Sequence, residues 1–187
     1  MPMVNPPKSI ARKAARRQRM QCQDTSAGVE LIRHFPAVQF RGASIGGYWP
    51  LSGEINICPL MQALQNGGHC IGLPRILGPE LPLEFRLWTQ GGELYPGPFK
   101  TLQPASTKPV IIPELVLVPL LAFTADGARL GYGGGYYDRT IECLRRNHNV
   151  FACGVAYAGQ ETANLPTEAH DVSLDAILTQ DYFKAFS

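Results

Sequence analysis

The chain has 187 residues, of which 45% are hydrophobic and 17% charged; this excludes a disordered polymer and leaves enough apolar mass to bury a core without disulfide staples. A formal net charge of +2 is too small to mark a nucleic-acid binder by itself, and no apolar run reaches the roughly 20 residues of a membrane span or follows the N-terminus as a signal peptide does. The sum hides an asymmetry. Lys8, Arg12, Lys13, Arg16, Arg17 and Arg19 are six of the 17 basic residues, and no acid precedes Asp24, so a basic arm is joined to a mildly acidic body.

The arm opens with Asn5-Pro6, an N-cap followed by proline at the first helical position, and continues in good helix formers; a helix over about 6–22 is expected. Lys8, Arg12, Arg16 and Arg19 share one face of it. An Arg-rich, acid-free start is also the composition of a mitochondrial transit peptide, but helical order in the basic residues points to a task within the folded protein. A short helix is expected from Gly28 to Phe35, ended by Pro36, and a strand over 43–49. The apolar positions Ile57, Leu60, Met61 and Leu64 predict a helix stopped at Gly67-Gly68. Short strands are expected in HCIGLP and LEFRLW, and the Gly/Pro-rich GGELYPGPFKTLQP reads as a loop without regular structure. ELVLVPLLAF is the strongest buried-strand signal. A loop, TADGARLGYGGG, follows, then a helix in YYDRTIECLRRN and strands in NVFACGVAY and VSLDAILT.

Strands alternating with helices imply right-handed crossovers, hence an α/β fold: one domain over 1–187 built as a three-layer open sheet, mainly parallel, with helices on both faces. Ligands in such sheets bind beyond the carboxyl ends of the strands, so the loop leaving LVLVP is the place to look. The five cysteines, Cys22, Cys58, Cys70, Cys143 and Cys153, have no metal-site spacing; they read as small core residues in a reducing, cytoplasmic compartment.

ARLGYGGGYYDR places Gly131, Gly133, Gly134 and Gly135 directly before a helix. Glycines leave backbone N–H groups open to a ligand, and a helix start offers unpaired N–H groups and a favourable dipole, so a phosphate cradle is the reading. It is neither Walker A nor G-x-G-x-x-G, because no Lys-Ser/Thr follows and Tyr136 stands at the last glycine's place. Asp138, in the first helical turn, would face a phosphate across a cation; Mg²⁺ takes one or two carboxylates with phosphate oxygens. Asp171, with Glu168 and Asp175 as neighbours in sequence, is the second candidate. The spacing of His34, His69, His148 and His170 supports no Ser-His-Asp or Cys-His set.

LVLVPLLAF followed by RLGYGGGYYDR closely resembles the signature of the 5-formyltetrahydrofolate cyclo-ligase family. Lys8-x-x-x-Arg12, YWPLSGEIN with Glu54, the GLPR turn at Gly72–Arg75 and LPTEAHDVSLDAILT resemble further family segments, so the likeness spans nearly the whole chain. It implies a NagB/RpiA/CoA-transferase-like fold and an ATP- and Mg²⁺-dependent cyclisation of 5-formyltetrahydrofolate to 5,10-methenyltetrahydrofolate, through phosphorylation of the formyl oxygen and attack by N10. Carried over, Lys8, Arg12, Arg129, Leu130, Gly131, Tyr132, Gly133, Gly134, Gly135, Tyr136 and Tyr137 would bind ATP, with Arg129 and Tyr136 catalytic. Asp138 and Asp171 would hold Mg²⁺; Tyr48, Trp49 and Glu54 would meet the folate. The chain has Phe99-Lys100-Thr101-Leu102-Gln103-Pro104 where the family commonly shows Phe-Gly-Ile-x-Glu-Pro, which removes the ground for expecting a folate contact there. Tyr132 and Gly134 stand where some relatives carry basic residues.

The implied partners are small molecules, with no nucleic acid or membrane and a monomer as the working state. Two other classes stay open at this point: a non-catalytic nucleotide- or RNA-binding module using the basic helix, and a CoA- or sugar-phosphate-handling enzyme on the same α/β plan.

Overall fold

The computed structural model describes residues 7–168 and 171–186. Its helices are α1 (Lys8–Gln21), α2 (Ala27–His34), α3 (Cys58–Asn66) and α4 (Tyr136–Arg145). The strands are β1 (Ser44–Gly46), β2 (Cys70–Arg75), β3 (Glu84–Leu87), β4 (Tyr95–Pro96), β5 (Leu102–Gln103), β6 (Val110–Ile111), β7 (Leu115–Pro119), β8 (Ala122–Phe123), β9 (Arg129–Leu130), β10 (Phe151–Val155), β11 (Ala176–Leu178) and β12 (Phe183–Ala185). Eight of them form the main sheet, in the order β12-β11-β10-β7-β1-β2-β3-β6. β2, β1, β7, β10 and β11 run parallel, while β12, β3 and β6 pair antiparallel at the margins.

Alternation along β7 builds two cores. Leu115 and Leu117 face one side, packing with Leu31 of α2 and Leu60 and Met61 of α3. Val116 and Val118 face the other, packing with Ile141 of α4. All four β7 side chains are fully buried, which is why this segment reads as an unbroken apolar run rather than an alternating one. The expected α/β architecture with helices on both faces is thus the observed one.

Several elements differ from expectation. The Asn5-Pro6 cap lies outside the described residues; α1 begins at Lys8 with Pro7 as N-cap. β1 is shorter than 43–49, because beyond Gly47 the chain turns and Tyr48 enters the core. Leu73-Pro74-Arg75 ends a strand instead of turning. ELVLVPLLAF is split after Pro119, which has no N–H to continue a ladder: Leu121 N–H donates to Leu130 O, and β8 pairs with β9 as a hairpin where TADGAR reads as open loop. GGELYPGPFKTLQP holds the β4–β5 ribbon around a turn at Pro98–Lys100. β6 and β12 are too short for any periodicity to show. Among the cysteines only Cys153 is fully buried; Cys22 and Cys58 are partly buried, Cys70 and Cys143 are exposed, and all are free. Cys143 misses the core because it lies two residues, about 200°, around α4 from the buried Ile141.

α1 lies over the β8–β9 hairpin. Ala15 packs with Leu121, Ala122, Leu130 and Leu165 in a third small core, with Ala11 and Tyr132 at its margin. Among the described residues no helix is long and apolar enough to cross a membrane.

Candidate active site

A cleft of about 570 Å³ opens beside the carboxyl end of β7, at Pro119, bounded by α1, the Glu54 turn, the 99–102 ribbon and the loop into α4. A second cavity, of about 630 Å³, lies at the amino ends of the parallel strands beside Ala43, Glu114 and Val150. There Glu114 is occupied by the N–H and hydroxyl of Ser44, and Asp175 by Arg145 and Ala152 N–H. Asp175 therefore lines this cavity and Asp171 the other, despite their nearness in sequence. The carboxyl-end cleft is the candidate site.

Every residue expected on the phosphate side lines this cleft: Lys8, Arg12, Arg129, Leu130, Gly131, Tyr132, Gly133, Gly134, Gly135, Tyr136 and Tyr137, with Asp138 and Asp171. So do Tyr48, Trp49 and Glu54. Chain order alone would not place Glu54 beside the glycine loop; the crossover from β1 through α3 and β2 does.

Two of the loop's glycines are required by its backbone. Gly133 has φ +104° and its missing Cβ would lie 3.0 Å from the Arg12 guanidinium carbon, while Gly135, at φ +65°, caps α4 without a side-chain hydrogen bond. The first N–H groups of α4 thus meet the cleft with no side chain of the cap in their way. Arg12 Nε donates to Gly131 O at 3.1 Å, holding the loop against α1.

The charged groups are arranged in pairs. Arg129, with a side chain only 4% exposed, donates to Asp138 Oδ1 at 2.6 Å and also to Val172 O. Burial lowers the Arg129 pKa, and the charges of Asp138 and Asp171 oppose that. Asp138 Oδ1 further accepts Val172 N–H at 3.1 Å. Lys8 Nζ reaches both oxygens of Asp171 at 2.8 Å and Glu168 at 3.0 Å; burial works against its charge, but these carboxylates outweigh burial and raise its pKa. Arg129 and Asp138, nine positions apart, are therefore coupled directly, an arrangement the hairpin creates and the linear spacing does not display.

Opposite, Glu54 sits in a turn in which its own Oε2 accepts Leu51 N–H at 2.7 Å. Its Oε1 accepts the hydroxyl of Tyr132, which accepts from Arg19 Nη1. Tyr132, expected with the phosphate residues, thus directs its hydroxyl to Glu54 on the opposite wall. Burial raises the Glu54 pKa above the usual carboxylate value, against the hydrogen bonds of Tyr132 and Leu51 and the charge of Arg19. Tyr48 is core: it is 2% exposed and its hydroxyl donates to Ile55 O. Trp49 is partly exposed and packs edge-to-face with Trp88, ring centres 6.1 Å apart.

Arg16, Arg19, Phe99, Thr101 and Leu102 were not among the expected site residues. Arg16 faces the cleft one turn beyond Arg12, a position its share of the basic stripe could have indicated. Phe99 packs edge-to-face on Tyr136 at 6.1 Å, so the 99–104 segment does form a wall. Gln103 is buried and accepts Ile76 N–H at 2.9 Å, a structural post. The described part of the cleft lining contains no histidine or cysteine.

The model of the 5-formyltetrahydrofolate cyclo-ligase family matches residues 9–180. A 5-formyltetrahydrofolate cyclo-ligase of Haemophilus influenzae is 33% identical over 146 residues, covering 75% of this chain and 77% of that protein. The Escherichia coli K12 enzyme of the same name is 28% identical over 174 residues, covering 90% and 93%. Among solved structures, the NMR structure of Aquifex aeolicus 5,10-methenyltetrahydrofolate synthetase superposes with a TM-score of 0.76 at 25% identity, over 95% of this chain and 92% of that one. The match runs from the basic helix through the glycine loop to the last parallel strand, the segments that enclose the cleft: the chain belongs to the 5-formyltetrahydrofolate cyclo-ligase family and is a ligase of folate metabolism with that activity.

Proposed function

We propose that the cleft closes the ring of 5-formyltetrahydrofolate to 5,10-methenyltetrahydrofolate in an ATP- and Mg²⁺-dependent reaction that releases ADP and phosphate. The observation that carries this reading is the arrangement of the two walls: Lys8, Arg12 and the α4 N-terminus around the glycine loop on one side, and a buried-edge carboxylate, Glu54, on the other.

The triphosphate lies in the cradle, its oxygens on the N–H groups of Gly133–Tyr137 and on Lys8 and Arg12. The formyl oxygen attacks the γ-phosphorus and ADP departs. N10 then attacks the carbon of the phosphorylated imine and loses its proton, and phosphate leaves with the former formyl oxygen. This chemistry calls for positioning and charge neutralisation, with no protein nucleophile, which suits a cleft lined by Arg129 and Tyr136 at the transferring group. Glu54 accepts from the amino-pyrimidinone edge of the pterin, and Trp49 offers an aromatic face for its ring.

Asp138 and Asp171 fit a hard divalent cation: both are acceptor-only carboxylates on the same wall. A pair of carboxylates suits an ion that completes its shell with phosphate oxygens and water. Bound there, Mg²⁺ supplies charge neutralisation at the phosphate oxygens. Arg129 and Lys8, which pair with the two carboxylates, keep them oriented and line the same cleft as the glycine loop.

The basic stripe supports this reading over an RNA-binding one, because Lys8, Arg12 and Arg16 line the chain's own cleft and Arg19 is buried. The test is the appearance of the methenyl chromophore from 5-formyltetrahydrofolate with ATP and Mg²⁺. Chromophore dependent on both is the expected result; none from pure folded protein would overturn the reading.

A further inference from the structure

Arg19 is a buried cation, 7% exposed, with no carboxylate within 4.0 Å among the described residues. Its Nη1 donates to Tyr132, its Nη2 to Ser52 O at 3.3 Å, and its Nε is buried with no hydrogen-bond partner among the described residues. The guanidinium also stands 5.5 Å from the centre of the Tyr132 ring. A charge so placed needs a counter-charge, and Tyr132 passes it one: the same hydroxyl donates to Glu54 Oε1.

A carboxylate has about four acceptor sites. In Glu54, Tyr132 and Leu51 N–H take one on each oxygen, leaving one on each for a ligand with two adjacent N–H donors. The hydroxyl of Tyr132 and the Leu51 amide thus set the plane in which Glu54 presents its free sites. Tyr132 is also a member of the glycine loop, between Gly131, whose carbonyl is held by Arg12, and Gly133, which packs on Arg12. Lys8, Arg12 and Arg19 stand on one rigid helix, whose Lys8-to-Arg19 span is about 16 Å at about 1.5 Å per residue.

We propose that Arg19 and Tyr132 are a positioning relay that orients Glu54 and ties it to the glycine loop, so that a nucleotide in the loop tightens binding of the amino-pyrimidinone ligand at Glu54. The inference rests on the proposed reading of Glu54 and of the loop. A ligand that fixes Gly131–Gly135 fixes Tyr132 and with it the Glu54 carboxylate, and by reciprocity the second ligand tightens the first by the same factor.

The experiment is equilibrium binding of a non-hydrolysable ATP analogue and of 5-formyltetrahydrofolate, each alone and with the other present, to full-length wild type, Tyr132→Phe, Glu54→Gln and the double variant. Tyr132→Phe keeps the ring over Arg19 and removes only the hydroxyl. In wild type each ligand is expected to tighten the other by about fivefold or more. Tyr132→Phe brings that factor close to one and weakens the folate by about tenfold, the loss of a hydrogen bond to a charged acceptor. In the Glu54→Gln background it weakens the folate no further, because Tyr132 acts through Glu54; a merely structural role gives additive losses. Ring closure by wild type with coupling retained in Tyr132→Phe, or additive losses in the double variant, overturns the relay alone. A wild type that forms no methenyl product overturns the proposed function and the relay together.

Discussion

On the proposed reading Asp138 has two duties, a structural one toward Arg129 and a chemical one toward the cation, and they can be separated by substitution. As a first-turn helix carboxylate it would be dispensable for folding. The structure makes it the partner of Arg129, whose side chain is 4% exposed, and an acceptor for Val172 N–H. Asp138→Ala leaves a buried guanidinium with Val172 O as its remaining hydrogen-bond acceptor among the described residues. Stranding a fully buried charge costs about 3–5 kcal/mol; Asp138 is itself 23% exposed, so water offsets part of this and about 2–3 kcal/mol is expected. In a chain of this length each kcal/mol shifts Tm by about 2–4 °C, which places the drop at about 4–12 °C. Asp138→Asn keeps an oxygen for Arg129 and Val172 and loses the charge, so its drop is less than half as large. Turnover falls in both variants by about 10- to 100-fold and recovers partly at raised Mg²⁺. The assay is a thermal melt beside initial rates across a Mg²⁺ series. An alanine variant melting within 1 °C of wild type would refute the structural duty; an asparagine variant with wild-type rates and Mg²⁺ dependence would refute the chemical one.

Lys8→Ala removes partly exposed ion pairs to Asp171 and Glu168, worth about 0–1 kcal/mol; Tm is expected within about 4 °C of wild type while the KM for ATP rises about tenfold, and an unchanged KM would contradict the phosphate role. Gly133→Ala forces a side chain onto φ +104° and against Arg12; the strain is expected to cost about 1 kcal/mol or more in stability and to raise the ATP KM, and a variant with both unchanged would show that the loop's shape is not used. Because burial raises Glu54 above its ordinary value of 4.5, the acid limb of kcat/KM for the formyl substrate lies above pH 4.5. The native state then binds the extra proton, so this group's contribution to stability falls as pH rises from 4.5 through the folded pKa. The groups facing it are Tyr132, Arg19, Tyr48 and Tyr137. Tyr132→Phe removes a bond that lowers the pKa, so the limb moves further up; a limb at or below 4.5, or one that Tyr132→Phe leaves in place, would contradict the assignment.

What was legible in the sequence followed from periodicity and composition. The unbroken LVLVP run marked the central strand, the 57–64 spacing marked α3, and glycines ahead of YYDR marked a loop opening a helix. Local pattern could not show Arg129 paired with Asp138, because a proline-broken strand returning as a hairpin brings them together. Lys8 and Asp171 are 163 positions apart and Tyr132 and Glu54 78 apart, distances no spacing rule addresses. β6 and β12 are two- and three-residue elements stabilised by neighbours rather than by their own propensity. Tyr132 reads as a phosphate residue because its backbone lies in the glycine loop, while its hydroxyl bonds Glu54 on the other wall.

The central claim is that one cleft brings the formyl oxygen to the γ-phosphate of ATP. Its most direct measurement is a tracer experiment: 5-formyltetrahydrofolate carrying ¹⁸O in the formyl group, turned over by the full chain with ATP and Mg²⁺, with the released phosphate analysed by mass spectrometry. One ¹⁸O in phosphate for each methenyl product formed is the expected result. Methenyl product accompanied by unlabelled phosphate, with the label in water, would contradict it.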